Sequence, residues 1–158
     1  MSHRFPVRWT VTLGVHKTPE DYIQDLESSG YKIGGRTRDI LKKVTCSKEQ
    51  IEIRLTSATV AELGFAKGGA VKDIHAAILA QDCQLCPAEV GPALRLTIEE
   101  QSKYEWMWIA MKGISDSYGN LIVFLLEHIK DELWLGTDSG YPGNHMDPNC
   151  RIVFVVPA

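Results

Sequence analysis

Two of the four cysteines, Cys83 and Cys86, stand at C-x-x-C spacing in the stretch QDCQLCPAEVGP, residues 81–92. Such a pair is half of a structural zinc site, which needs four ligands in a tetrahedron. The partners of suitable type are His145 and Cys150, far along the chain. A redox pair instead needs its first thiol at a helix N-terminus, where the positive end lowers the thiol pKa. Here Cys83 follows a predicted helix, and the negative end of that helix disfavours a thiolate. Cys86 differs. Cys86-Pro87-Ala88-Glu89 supplies N-cap, N1 and N3 residues for a short turn, which would place the thiol at a positive end. A cysteine nucleophile also needs a base. Glu89 is at hand, and His75, His128 and His145 are the histidines the fold could bring; Cys86, Glu89 and His145 form the candidate catalytic set. The competing reading is a thiol packed as a small hydrophobe.

A second candidate is the run TDSGYPGNHMDPNC, residues 137–150, a loop dense in Gly, Pro, Asn and Asp. Loops of that length inside compact domains are uncommon and often functional. Asp138, Tyr141, Asn144 and Asp147 are its candidate binding side chains, with Arg95 joining them from beyond the turn after Cys86. Glu89 and Arg95 bracket Gly91-Pro92 closely enough to predict an ion pair across that turn. Tyr104, Trp106 and Trp108 alternate on one strand face and could stack on sugars, bases or a peptide. Apolar residues on both faces predict instead a central strand buried on each side, with Trp134 packing from a neighbour.

The elements that must position these residues are legible in part. Val7, Trp9, Val11 and Leu13 alternate with polar residues, which predicts a half-buried strand. Thr18 as cap, Pro19 at the first helical position, and Glu20 and Asp21 in the first turn predict a helix that stops at Gly30. A short helix is predicted over 38–43, with Asp39 and Lys43 as an i,i+4 pair, and a strand over 50–55. Thr59 and Glu62 form a capping box cut short by Gly64. Val71, Ile74, Ile78 and Leu79 repeat at helical spacing over 71–81. From Ala93 onward ALRLTI, YEWMWIAM, LIVFLLE, ELWLG and RIVFVV read as strands, with hairpin turns at SDSYGN and HIKDE. The predicted fold is one α+β domain over 1–158. A mainly antiparallel β-sheet fills its second half, and two or three helices pack from the first half.

At 158 residues, with 44% hydrophobic and 23% charged side chains, the chain has enough apolar material for a single core. No apolar run is long enough to span a membrane and no secretory signal is legible. A cytoplasmic protein with reduced thiols is therefore expected. Charge is uneven: 12 Lys and Arg against 9 Asp and Glu in residues 1–80, then 5 against 11 in 81–158. The basic run Lys32, Arg36, Arg38, Lys42, Lys43 and Lys48 reads as a solvated helix face, and the acidic second half disfavours nucleic acid as a partner. Nucleotide-binding glycine loops, zincin motifs, hydrolase elbows and EF-hand loops are all absent.

The runs ATVAELGF, VKDIHAAIL, LCPAEVGPALRL, WIAMKGISDSYG and RIVFVV resemble a family of small uncharacterised bacterial proteins over most of the chain, most specifically at LCPAEVGPxLRL. The resemblance implies no activity, ligand or catalytic residue. It implies an aliphatic residue where Cys83 stands, which weakens the zinc and redox readings. The expectation is a non-enzymatic module that binds a protein partner or small ligand and needs no cofactor. A hydrolase or transferase using Cys86 is the first alternative, and a zinc module the second.

Overall fold

The computed structural model describes residues 5–102 and 105–157. Strand β1 (Trp9–Leu13) leads into α1 (Pro19–Ser28), β2 (Lys32–Ile33) and α2 (Gly35–Leu41). Strand β3 (Ile51–Thr59) is followed by β4 (Gly69–Ala70), α3 (Val71–Leu79) and α4 (Val90–Thr97). The remainder is β5 (Trp106–Ile109), β6 (Ile114–Ser115), β7 (Leu121–Ile129), β8 (Glu132–Ser139), β9 (His145–Met146) and β10 (Arg151–Val155). No described helix is long and apolar enough to cross a membrane.

The α+β class holds, but the sheet corrects the expected arrangement. It is a mixed sheet in the order β1-β3-β10-β5-β7-β8-β2, with β6 added to β7, so it draws strands from both halves of the chain. Most neighbours run antiparallel, whereas β10 pairs β5 and β2 pairs β8 in parallel. The parallel β5–β10 pair joins strands separated by the whole β7–β8 hairpin, which local turn signals cannot reveal.

Alternation along the strands builds two cores, one on each face. Val153 of β10 faces the larger cluster, with Met107, Ile109, Phe124, Leu126 and Leu135, covered by Tyr22, Ile23 and Leu26 of α1, Ile40 and Leu41 of α2, and Val90 and Leu94 of α4. Ile152 and Phe154 face the other way, into a smaller cluster with Ala58, Val60 and Ala110 beneath Ile74 and Ile78 of α3. Of the described helices, three therefore lie on the first face and α3 on the second.

Helix α1 forms as its sequence dictates. The Thr18 hydroxyl accepts from the Asp21 N–H at 3.2 Å, and Gly30 takes φ +89° at the far end. There the Tyr31 N–H closes onto the Leu26 carbonyl at 2.9 Å. The Thr59–Glu62 capping box also forms, with bonds of 2.9 and 3.1 Å, yet a single turn follows it and no helix. Leu79, expected on the buried stripe of α3, is 54% exposed. Lys43 donates to the Ser115 carbonyl at 2.6 Å instead of pairing with Asp39. ALRLTI, expected as a strand, is most of α4. The 137–150 segment is no free loop either: Thr137 to Ser139 belong to β8, and β9 pairs with β4.

Candidate functional site

The residues first grouped as catalytic do not meet. Cys86 is buried at the larger core, its N–H bonded to the Ala110 carbonyl at 2.7 Å and its Sγ 3.6 Å from the Val153 carbonyl. Burial pushes its thiol pKa far up, the reverse of what a nucleophile requires. The turn after it explains the difference. Helix α4 starts at Val90 with Glu89 as its N-cap residue, so Cys86 lies outside any helix end. Glu89 is itself spent. Its carboxylate accepts from the Gly14 N–H at 2.8 Å, the Tyr22 hydroxyl at 2.6 Å and the Ser47 N–H at 2.7 Å. It is 1% exposed and joins three segments of chain from beneath α4.

Arg95 is likewise interior and forms no ion pair with Glu89. Helical geometry carries residues six apart to different sides. The Arg95 guanidinium donates to Gln101 Oε1 at 2.7 Å and the Ile98 carbonyl at 2.8 Å, with longer bonds to the Trp134 and Glu127 carbonyls. The Tyr31 ring lies 5.3 Å from its carbon centre. Burial, with no carboxylate partner among the described residues, pulls its pKa down to about 10. Arg95 thus cannot contribute to a surface with the 137–150 segment. His128 Nδ1 donates to the Gln101 carbonyl and is also structural. Among the described residues no three His, Cys, Asp or Glu side chains converge as metal ligands, which removes the geometric basis for a zinc module.

The second face is different. A cleft of about 270 Å³ opens between α3 and the sheet, near the lower end of the roughly 300–1,000 Å³ range of small-molecule sites. Its floor is apolar, from Ala110, Val123 and Ile152, and its rim carries His75, Asp138, Ser139, Asn144 and His145. The segment after β8 holds the rim in place by capping α3: the Val71 and Lys72 N–H groups donate to the Asn144 and Pro142 carbonyls, each at 2.9 Å. Two orphan donors at the start of a helix are satisfied this way, and the β4–β9 pairing fixes His145 beside Ala70.

Asp138 is pre-oriented. Trp108 reaches across β7 and donates its indole N–H to Oδ2 at 2.9 Å, while the Ser139 N–H donates to Oδ1 at 2.8 Å. Asn144 Nδ2 donates to the Ser139 hydroxyl at 2.8 Å. His75 is half-buried, and its ring nitrogens have no hydrogen-bond partner among the described residues. Burial lowers its pKa, so at neutral pH it is an uncharged imidazole offering one donor and one acceptor. His145 is exposed at the mouth, with its ring against Gly68.

Of the residues singled out from sequence, Asp138, Asn144 and His145 therefore meet in this cleft. Asp147 lines an adjacent shallower one with Trp106, Trp108 and Cys150. Tyr141 turns away and donates to Asn120 Oδ1 at 3.1 Å. The aromatic stripe is not buried on both sides, because Trp106 is 46% exposed and Trp108 walls both clefts; Tyr104 lies outside the described residues. Trp108, Ser139 and His75's place in the cleft were not foreseen. Alternation along β5 put Trp108 opposite Met107, but only the single helix on the second face makes that side a wall. Comparison with known protein families, curated proteins and solved structures found no match to this chain.

Proposed function

We propose that this protein is a small-molecule-binding domain whose site is the cleft beneath α3, with no covalent chemistry of its own. The observation that carries this reading is His75, a neutral imidazole with no partner among the described residues, facing an apolar-floored cleft beside an already oriented carboxylate. A polar group kept half-buried without a partner costs free energy, and a ligand hydrogen-bonding to it recovers that cost. The ligand that fits has a small apolar body against Val123 and Ile152, with polar groups meeting His75 and Asp138. The position of Cys86 in the core supports a reading without cysteine chemistry.

The test is a ¹H–¹⁵N NMR screen of the protein with small fragments. Binders should shift the Trp108 indole and the amides of 138–146, and His75→Ala should weaken them about tenfold, the worth of one lost hydrogen bond to a desolvated group. A screen whose binders all leave these signals still, or bind His75→Ala equally well, defeats the proposal.

A further inference from the structure

The part of the second face that α3 leaves uncovered carries a different chemistry. Strand register sets Trp106 of β5 beside Glu127 of β7, and Glu127 beside Trp134 of β8. Paired residues on neighbouring strands, roughly 4.8 Å apart, project from the same face. The Glu127 side chain thus leaves the sheet between two tryptophans. Gly136 makes room for it: a Cβ there would lie 2.8 Å from Glu127 Oε2, so the carboxylate lies down over the glycine instead of extending into water. That carboxylate is half-buried and has no hydrogen bond or ion pair among the described residues. Burial first, and the neighbouring Asp138 charge second, raise its pKa. Trp106 is exposed, and its ring meets Trp108 edge-on, with centroids 5.9 Å apart at 67°. Two described cations stand beside this row: Lys32, next to Trp134 in the parallel β2–β8 pair, is engaged by Glu132 at 3.4 Å, and Arg151, which lines the shallow cleft with Trp106, donates to the Ser57 hydroxyl at 3.1 Å.

We propose that the Trp106–Glu127–Trp134 row binds an organic cation of the alkylated-ammonium type. Indole faces attract a cation within about 6 Å of the ring, and most strongly one that sheds water easily. The Glu127 carboxylate, lying over Gly136 beside this row and without a partner among the described residues, supplies the remaining charge. Methylated nitrogen suits this surface because it needs no acceptor for each N–H and presents an apolar, positively charged shell to the rings. Among the described residues a metal ion finds too few ligands here, and a neutral ligand would leave the Glu127 charge desolvated and unpaired. The site adjoins the cleft through Trp108 and Asp138 but does not depend on the cleft reading.

The experiment is titration of the protein with choline, followed by tryptophan emission and the indole N–H signals at constant ionic strength. The neutral isostere 3,3-dimethylbutan-1-ol is titrated in parallel. Choline should bind saturably and the isostere at least tenfold more weakly. Glu127→Gln, nearly isosteric, should lose about tenfold, and Trp106→Phe should lose less than Trp106→Ala. His75→Ala should bind choline normally. A peptide bearing trimethyllysine, compared with choline, distinguishes a methylated side chain from a free small cation as the source. Equal binding of the isostere, no saturable binding of either cation, or undiminished binding to folded Glu127→Gln would each overturn the proposal. Loss of choline in His75→Ala alone would overturn it too, moving the cation into the cleft and leaving the cleft reading intact.

Discussion

At the scale of single residues, the buried charges that invite a functional reading turn out to be joints. Glu89 is ionisable, interior and close in sequence to a cysteine, yet its oxygens are taken by Gly14, Tyr22 and Ser47. A carboxylate in such a cradle anchors the β1–α1 turn and the segment before β3 to the start of α4. Removing one charge-assisted donor with Tyr22→Phe should destabilise the fold by about 1.5–3 kcal/mol, read as a lower urea midpoint with unchanged slope. The same bond gives a pH signature. Burial, followed by the Glu89 hydrogen bond and charge, raises the Tyr22 pKa above its ordinary value of 10.0. The folded state therefore keeps a proton that the unfolded chain releases. This contribution is fully present below about pH 10 and is lost as pH rises beyond it. The stability gap between the parent protein and Tyr22→Phe should hold steady at neutral pH and narrow above about pH 10. A gap that stays constant into the alkaline range would show that Tyr22 ionises no differently in the two states.

At the scale of elements, what the sequence discloses depends on whether an element is shaped by its own residues or by its surroundings. Helix α1 was legible because Thr18, Pro19 and Gly30 act locally. Helix α4 was not. Its residues from Val90 to Arg95 are all buried, so it has no polar face to mark a helical period, and ALRLTI alternates like a strand by coincidence. Pro92 deepened the error, although a proline in the first turn removes only an N–H that had no helical acceptor. Misplacing α4 carried Cys86, Glu89 and Arg95 to the surface, which is how three interior residues entered the candidate site. Asp138, Asn144 and His145 were found because the Gly- and Pro-rich composition around them signalled irregular backbone. The β7–β8 turn keeps a local imperfection. Lys130 sits at φ +56°, a left-handed conformation that costs a non-glycine residue about 1–2 kcal/mol. Lys130→Gly should raise stability by about 0.5–1 kcal/mol, because glycine's greater freedom in the unfolded chain offsets part of the relief. Thermal unfolding measures it, and a lower midpoint for Lys130→Gly would mean that the Lys130 side chain contributes more than its backbone costs.

At the scale of the whole molecule, the sheet divides the protein into unequal halves. The first face is sealed by α1, α2 and α4 over a continuous core, whereas of the described helices α3 is the one on the second, held by the β4–β9 pair and a few capping bonds. That inequality creates the cleft and leaves the tryptophan row open. It also implies that the two sides need not open together, since regions with smaller buried clusters open at lower free energy. Ile74, fully buried at the centre of the α3 contact, is the place to test this. Ile74→Ala should cost about 2–5 kcal/mol locally. In native-state hydrogen exchange, the amides of α3 and the Cys83 N–H bonded to the Ile78 carbonyl should then lose protection. Those of Leu126 and Leu135, in the long β7–β8 ladder, should keep nearly all of theirs. Fragment binding in the cleft should fall in the same variant, because opening α3 removes His75 and loosens the rim, while choline binding at Trp106 and Glu127 should persist. A uniform loss of protection across both faces would show instead that α3 and the sheet unfold as one cooperative unit, and that the cleft is as rigid as the core beneath it.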